Sequence, residues 1–206
     1  MRHTIFPVSV YHGHVPDNDL LKNLLIPFIK ETKDSNQIPT EWMTNKVNTS
    51  WQNEETCRKM VEGSRGKELI SQYTKVLDDF FDEKYSIKIS GVWYNYYVDG
   101  EWQEKHNHLS IPLHTDIAHF SCIHFLSFDK ENHNPVTFVD PLKDIRCHSL
   151  EFNSHGYYQK VSPHVTEGEF IMFPSYLEHE VKKGKPTPDY PRITISFNIE
   201  VTKYGE

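Results

Sequence analysis

The sequence has few cysteines and no long apolar run. Its three cysteines, Cys57, Cys122 and Cys147, are too few and too scattered for a disulfide framework or a cysteine-rich zinc site. They favour a reducing, cytoplasmic setting. No apolar run approaches the length of a transmembrane helix, and the first residues, MRHTIFPVSVYHGHVPD, lack the apolar core of a signal peptide. We therefore expect a soluble, intracellular protein without a membrane partner.

The chain also lacks an excess of positive charge. Its net charge is -7, whereas a general binder of phosphate backbones needs a basic face. Nucleic acid is thus disfavoured as a partner, although a local basic groove is compatible with this total. No GxGxxG, Walker or Ser-His-Asp pattern indicates a nucleotide cofactor or an acyl-enzyme. The composition leaves the oligomeric state undetermined.

Histidine and aromatic residues are plentiful. The chain has 13 His, 12 Phe, 11 Tyr and 4 Trp, and its aromatic share is 13%. Aromatic residues favour β-structure and a lined pocket. A length of 206 residues suits one domain with a substantial core. Because many of the histidines are expected on the surface, each needs suitable spacing before it counts as a ligand.

The first 84 residues have mainly helical periodicity. Residues 5–11 predict a short strand, which Pro7 restricts to a sheet edge. A capped helix is predicted through residues 20–29, and Pro27 is expected to end or kink it. A second helical pattern over residues 54–81 breaks at a glycine pair into two helices. We interpret this part of the chain as a helical layer packed outside a β-rich core.

After residue 84 the pattern changes to the alternation of β-strands. Strands are predicted at 86–97, 120–128, 136–139, 157–161, 169–174, 179–181 and 192–201. Many short strands at this spacing indicate a sandwich or a jelly roll, and a jelly roll leaves a pocket between its sheets. We expect a single domain over residues 1–206, with its core at 85–206.

Two pairs of metal-ligand residues lie between the first two predicted core strands. The pairs are His106 with His108, and His114 with Asp116. Residues separated by one position on a strand point to the same face, so either pair could grip one ion. His179 lies later on an apolar strand, where a satisfied core histidine is the alternative. Two histidines and a carboxylate hold iron while leaving sites for a chelating cosubstrate and O2, and His114, Asp116 and His179 form such a set.

Arg192 begins the last predicted strand and shares a face with Thr194, Ser196 and Asn198. This face is too polar for a simple core. A guanidinium binds a carboxylate bidentately, and a neighbouring hydroxyl completes the contact. The arrangement suits the distal carboxylate of a 2-oxo dicarboxylic acid whose other end chelates iron. A structural salt bridge is the alternative.

Several segments, in chain order, resemble the 2-oxoglutarate/Fe(II)-dependent oxygenases of bacteria and their phages. They are WYNYYVDGEWQEKHNH, FSCIHFLSFD, EGEFIMFPSYLEHEV and RITISFNI, with the upstream fragment TNKVNTSWQNEE. The resemblance covers most of the chain. It implies a double-stranded β-helix (jelly roll) core with helices outside. It also implies Fe(II) and 2-oxoglutarate as cofactors, O2 as cosubstrate, and succinate and carbon dioxide as coproducts.

The resemblance bears on the choice of metal ligands. In these oxygenases a glycine ends the first core strand, and a short hairpin connects this glycine to the first metal ligand. His106 fits that connection and His114 does not. We favour His106, His108 and His179, in the HxH pattern of this subfamily. The pair of His114 with Asp116 stays open, as does a mixed set of His106, Asp116 and His179. An HxH set replaces an anionic ligand with a neutral imidazole, which changes the charge and redox tuning of iron.

The resemblance also assigns residues to the cosubstrate. Arg192 matches the arginine that pairs with the distal carboxylate of 2-oxoglutarate, and Thr194 or Ser196 would add a hydroxyl contact. Asn95 and Tyr97 match positions that contact the cosubstrate, with packing in the β-core as the alternative.

Together these features predict an oxygenase that hydroxylates an unactivated C–H bond of a peptidyl side chain or a small molecule. Residues 94–97 and 102–104 are expected to shape the substrate side, and loops 32–50 and 140–156 to set the pocket shape. A cupin-like isomerase or ligand-binding module would share the histidines but have no use for Arg192. A phage structural protein would keep the fold without the metal.

Overall fold

The computed structural model of the chain describes residues 8–36, 47–109, 118–143 and 159–203. The helices are α1 (Asn18–Thr32), α2 (Glu54–Met60) and α3 (Gly63–Leu77), with a short 3-10 helix at Lys33–Ser35. The strands are β1 (Tyr11–His14), β2 (Asn48–Thr49), β3 (Tyr85–Tyr97), β4 (Gln103–His106), β5 (Phe120–Ser127), β6 (Val136–Val139), β7 (Lys160–Val161), β8 (Glu169–Pro174), β9 (His179–Val181) and β10 (Arg192–Lys203). These elements confirm a mainly β fold with a helical layer.

The strands form two antiparallel sheets. The larger sheet has the order β1-β8-β5-β10-β3-β2, and the smaller sheet has the order β4-β9-β6-β7. From β3 onward the chain passes back and forth between the sheets, apart from the neighbouring strands β6 and β7. This alternation is typical of a jelly roll, and it confirms the expected core.

The larger sheet is covered on both faces. Its outer face packs against α1 and α3 in a core that includes Leu25 and Tyr73. Its inner face and the smaller sheet enclose a second core that includes Phe138 and Phe173. Because burial of apolar surface drives this packing, the helices hold the larger sheet in place from outside. The part of this space that the second core leaves open is lined mainly by polar side chains.

Alternation along β3 divides its aromatic residues between these two sides. Tyr94 and Tyr96 belong to the core under the helices. Trp93, Asn95 and Tyr97 line a cavity between the sheets. The expectation that this whole segment shapes the substrate side is therefore wrong for Tyr94 and Tyr96, since their side chains point away from it.

The helices largely follow their sequence signals. Helix α1 begins after Asp17, whose side chain accepts a hydrogen bond from the backbone N–H of Leu20 at 2.9 Å. It does not end at Pro27 but continues to Thr32. The predicted division of the second helical region is confirmed by α2 and α3. Among the described residues, each helix falls short of the length and apolarity needed to cross a membrane.

The predicted core strands are present, with small shifts at their ends, but residues 157 and 158 of the predicted strand 157–161 lie outside the described part of the chain. Strand β1 lies at a sheet edge as expected, but it begins at Tyr11, and residues 5–7 lie outside the described part of the chain. Strand β2 falls in the segment 32–50 that we interpreted as a loop, and polar β4 was also not predicted. The first 84 residues therefore supply strands to the larger sheet as well as helices.

A buried chain of hydrogen bonds ties the helical layer to the larger sheet. The Tyr73 hydroxyl lies 3.0 Å from His124 Nδ1, and His124 Nε2 lies 2.8 Å from Asn18 Oδ1. The Asn18 side-chain amide in turn donates to the Leu126 carbonyl at 3.3 Å. Because the asparagine oxygen only accepts, Nε2 carries the proton and Nδ1 accepts from the tyrosine. Burial lowers the pKa of His124 to about 3, so this histidine is neutral in the folded protein.

We predict that His124 makes the fold less stable as the pH falls. Its pKa is about 3 in the folded chain and about 6.5 when unfolded, so between these values the unfolded state binds more protons. The contribution to the free energy of unfolding is intact above about pH 6.5, and about 2 kcal/mol of it is lost by pH 5. Urea unfolding of wild type and His124→Gln at pH 8 and pH 5 measures this difference.

The exposed His12 provides the control, because His12→Gln should keep the wild-type dependence on pH. Other buried histidines contribute equally to all three proteins, so the comparison isolates His124. An identical loss of stability in wild type and His124→Gln would contradict the prediction.

Candidate functional site

Three histidines from two strands converge at one end of the space between the sheets. His106 ends β4 and lies opposite His179 of β9 in the antiparallel register. His108 follows two residues after His106, and the ring centroids of His108 and His179 are 5.1 Å apart. One ligand atom from each of the three residues lies within 4.8 Å of the other two. This spacing allows all three imidazoles to hold one ion.

Hydrogen bonds orient each of these imidazoles. Every Nδ1 atom faces an oxygen acceptor: Glu104 O for His106 at 2.8 Å, Leu177 O for His179 at 2.9 Å, and Asn198 Oδ1 for His108 at 2.9 Å. Carbonyl oxygens only accept, so Nδ1 carries the proton in each ring. Each Nε2 atom is therefore the unprotonated nitrogen of its ring, the form that binds a metal, and the ring orientation is fixed by the outer partner.

The same environment keeps the three rings uncharged. Burial lowers the pKa of His106, and burial with repulsion from His106 lowers the pKa of His108 to about 4. Burial, followed by repulsion from both neighbours, lowers the pKa of His179 well below its usual value. Neutral imidazole is the form that binds metals. Three such donors suit a divalent transition ion, including Fe(II), and the described residues of this cluster include no carboxylate.

Two serines complete the support of His108. Ser121 Oγ lies 2.8 Å from His108 Nδ1 and donates to Asn198 Oδ1 at 2.9 Å. Ser175 Oγ lies 2.9 Å from Ser121 Oγ. Neither serine was predicted, because their role depends on the register that places Ser121 opposite Asn198. These contacts hold one imidazole through strands β5 and β10 and the end of β8.

An inner cavity leads from the histidines to Arg192. Arg192 is only 3% exposed, and its guanidinium lies 4.6 Å from the centroid of the Tyr97 ring. Its Nε atom donates to the Asn134 carbonyl at 2.9 Å. In the described part of the chain, Arg192 Nη1 has no hydrogen-bond partner. A buried N–H of a cation without a partner is costly, so this end of the cavity fits an anionic oxygen.

The remaining predicted cosubstrate residues also line the inner cavity. They are Asn95, Tyr97, Thr194 and Ser196. The Asn95 side-chain amide donates to Ser196 Oγ at 3.3 Å, while Asn95 Oδ1 has no partner among the described residues. The alternating polar residues of β10 thus face the cavity, as their spacing predicted.

An outer cavity of about 330 Å³ lies against the same histidines. Its described lining consists of Trp51, Trp93, Gln103, His106, Asn107, His108, Leu109 and Asn198. Within that lining no side chain is an acid, a lysine or an arginine. Because His106 and His108 line both cavities, an ion held there would be reached from two sides. Trp51 was not predicted, although it lies in the fragment TNKVNTSWQNEE.

The expectation for residues 102–104 needs a correction. Gln103 lines both cavities, as a residue of the substrate side should. Trp102 instead lies in a separate depression with Lys182 and Lys183. Trp102 directly precedes β4 and borders only that depression, whereas Gln103 borders the depression and both cavities.

The competing ligands His114 and Asp116 lie at residues 110–117, outside the described part of the chain. The same applies to the mixed set, which needs Asp116. Of the candidate residues that the structure describes, His106, His108 and His179 come together, and Arg192 lies at the other end of the cavity that they line.

Comparison with known proteins gives the family context of this geometry. The model of the family described as "Putative 2OG-Fe(II) oxygenase" matches residues 91–198, which is more than half of the 206 residues. This range includes the three histidines, the inner cavity residues on β3 and Arg192. No curated protein matches the sequence of this chain.

Solved structures resemble the whole chain. A prolyl-4-hydroxylase from Pseudomonas putida is 12% identical with a TM-score of 0.57, over 94% of this chain and 92% of that one. HygX from Streptomyces hygroscopicus, with nickel and 2-oxoglutarate bound, is 10% identical with a TM-score of 0.56, over 93% and 82%. A Trichoplax adhaerens prolyl hydroxylase, in complex with a hypoxia inducible factor peptide, is 12% identical with a TM-score of 0.57, over 92% and 82%. At these identities the likeness establishes the fold.

We predict that His108→Ala weakens the binding of one Fe(II) ion at least 100-fold. Removal of a residue that hydrogen-bonds to a metal ligand lowers the metal affinity roughly 10- to 100-fold, and removal of the ligand itself should lower it more. Anaerobic Fe(II) titration followed by metal analysis measures the affinity and the stoichiometry. Unchanged thermal unfolding without metal would show that the variant still folds.

His114→Ala and Asp116→Asn serve as matched variants of the competing pair. Both should bind Fe(II) within about twofold of wild type. If His106, His108 and His179 hold the ion, residues outside this set should have little effect on its affinity. If either variant loses the ion while His108→Ala keeps it, the competing pair holds the metal.

Proposed function

The chain belongs to the 2OG-Fe(II) oxygenase family, and on this premise we propose that His106, His108 and His179 hold its ferrous ion. The convergence of these three donors within 4.8 Å is the observation that carries the proposal. The orientation of each ring by an oxygen at Nδ1 supports it further, since it leaves Nε2 unprotonated, as a metal ligand must be. The proposal includes the whole chain as one oxygenase domain.

Arg192 is our proposed anchor for the distal carboxylate of 2-oxoglutarate. Its buried guanidinium has an N–H group without a partner in the described chain, and a carboxylate would satisfy it. Thr194 or Ser196 would add a hydroxyl contact. Asn95 and Tyr97 line the same cavity and would contact the cosubstrate along its length.

When bound, Fe(II) and 2-oxoglutarate supply oxidation by O2, in which one oxygen atom enters a substrate C–H bond and the other enters succinate as carbon dioxide leaves. The residues of this chain orient the reactants and exclude water. The larger sheet and its helical cover bury Arg192, which strengthens the attraction between Arg192 and a carboxylate.

The neutral ligand set gives the cosubstrate a further role in the balance of charge. Three imidazoles leave both positive charges of a ferrous ion uncompensated by the described ligands. A dicarboxylate that reaches from the ion to Arg192 supplies two negative charges between two positive centres. Binding of 2-oxoglutarate should therefore depend strongly on both ends.

The outer cavity is our proposed substrate site. Two indoles, Trp51 and Trp93, and the apolar Leu109 form its described walls together with amide side chains. Such a lining favours an uncharged group with exposed C–H bonds, on a peptide or on a small molecule. The related structures include a hydroxylase with a bound peptide and HygX with hygromycin B, and these two illustrate both classes.

A cytoplasmic location stays a prediction from the cysteines.

We predict that Arg192→Met abolishes most 2-oxoglutarate binding and leaves the metal in place. Loss of one partner of a buried charge pair costs roughly 2–5 kcal/mol, which corresponds to at least 30-fold in Kd. Anaerobic addition of 2-oxoglutarate to the Fe(II) protein should produce a visible charge-transfer band in wild type and not in the variant. Succinate formation should follow the same order.

Arg192→Lys is the matched control, because it keeps the charge but loses the planar fork of donors. Its affinity should fall between those of wild type and Arg192→Met. Undiminished binding of 2-oxoglutarate by Arg192→Met would contradict the proposed anchor. Absence of the band and of succinate in wild type would contradict the proposed function.

A further inference from the structure

Gln103 connects the arginine end of the inner cavity to the metal histidines. Its side chain is buried and lines both cavities. Its Oε1 atom accepts a hydrogen bond from the Tyr97 hydroxyl at 2.9 Å. Its Nε2 atom lies 3.4 Å from Nε2 of His106, the ring nitrogen that would bind an ion.

The chemistry at both ends determines which way this amide points. The Tyr97 hydroxyl donates its proton to Gln103 Oε1, and the Arg192 guanidinium lies 4.6 Å from the centroid of the Tyr97 ring. At the other end, His106 Nδ1 donates to a carbonyl, so its Nε2 offers only a lone pair. A reversed amide would place an oxygen against that lone pair. The Gln103 NH2 group thus faces the metal position.

Occupation of the metal position removes the acceptor of this amide. The lone pair of His106 Nε2 then belongs to the ion, and Gln103 loses a contact that is already long at 3.4 Å. Because Oε1 stays bonded to Tyr97, the side chain keeps its N–H groups directed at the ligand positions of the ion. A buried N–H without an acceptor costs free energy, so an oxygen ligand of the ion would be stabilised there.

We infer that Gln103 is a further cosubstrate-binding residue, which donates a hydrogen bond from Nε2 to the metal-side carboxylate of 2-oxoglutarate. The inference rests on the proposed function of the three histidines and Arg192. One chain of contacts then reaches both ends of the cosubstrate, since the Arg192 guanidinium lies over the Tyr97 ring and the Tyr97 hydroxyl donates to Gln103. This chain makes the position of one carboxylate sensitive to the binding of the other.

Binding of 2-oxoglutarate to the nickel-loaded full chain provides the test, because nickel replaces iron without turnover. Gln103→Leu should raise the Kd for 2-oxoglutarate about tenfold to hundredfold, as loss of a hydrogen bond to a charged group does. Its Kd for Ni(II) should stay within about threefold of wild type. Trp102→Leu, which alters the neighbouring residue outside both cavities, should bind 2-oxoglutarate like wild type.

A spectroscopic readout separates this role from a merely structural one. In the anaerobic Fe(II) complex at saturating 2-oxoglutarate, Gln103→Leu should shift the charge-transfer band, because a donor to a chelating oxygen changes the electronic energy of that ligand. An unshifted band together with an unchanged Kd for 2-oxoglutarate would overturn the inference. A tenfold loss of Ni(II) affinity in Gln103→Leu would overturn it too, since Gln103 would then be a metal ligand.

These results are distinguishable from failure of the proposed function. If wild type binds 2-oxoglutarate and Arg192→Met does not, the function stands whatever Gln103→Leu does. If wild type binds no 2-oxoglutarate, the proposed function and this inference both fail.

Discussion

The antiparallel pairing of β4 with β9 is the constraint on which the site depends. It sets His106 opposite His179 and brings the nearby His108 to the same point. A slip of one residue in this pairing would turn the side chains of one strand to the other face of the smaller sheet. The register is irregular between Gln103 and His106, so the ladder bends where the side chains must be aimed. The meeting of the three imidazoles therefore follows from this strand pairing together with the two residues that follow β4.

The larger sheet supplies a rigid wall for this short and irregular pair. Helices α1 and α3 cover one face, while the second apolar core fills much of the other. Polar side chains of β10 interrupt that inner face in one row, and each of them either has a partner or lines the cavity. Buried polar groups are costly without partners. Their concentration along one row is consistent with the proposed cosubstrate site, where a ligand would complete the contacts.

Much of this arrangement was predictable from the sequence. Period-two alternation located the core strands, and the even spacing of Arg192, Thr194 and Ser196 correctly predicted a shared face. The histidine candidates were found by spacing, but the choice between two pairs depended on a resemblance. Short polar strands such as β4 carry no apolar alternation and so escaped prediction. Alternation along β3 separates Tyr94 and Tyr96 from Trp93. It does not tell which set faces the helices and which faces the smaller sheet, and so this division was not predicted.

Contacts that depend on register were out of reach for the same physical reason. Ser121 supports His108 only because β5 lies beside β10 in one alignment, and Gln103 faces His106 only because Tyr97 fixes its amide. Serine and glutamine have no strong preference for such positions, so the residue type alone does not reveal these roles. The relative position of distant segments decides these roles. Composition and local sequence patterns contain little information about that position.

Trp51 joins the N-terminal part of the chain to a cavity that is formed mainly by later elements. It follows β2, in the N-terminal part of the chain, yet it forms a wall of the outer cavity. The rest of the described lining of that cavity comes from β3 and later elements. Loss of the N-terminal segment would therefore open the outer cavity on one side, while the inner cavity, whose described lining begins at Trp93, would keep its walls.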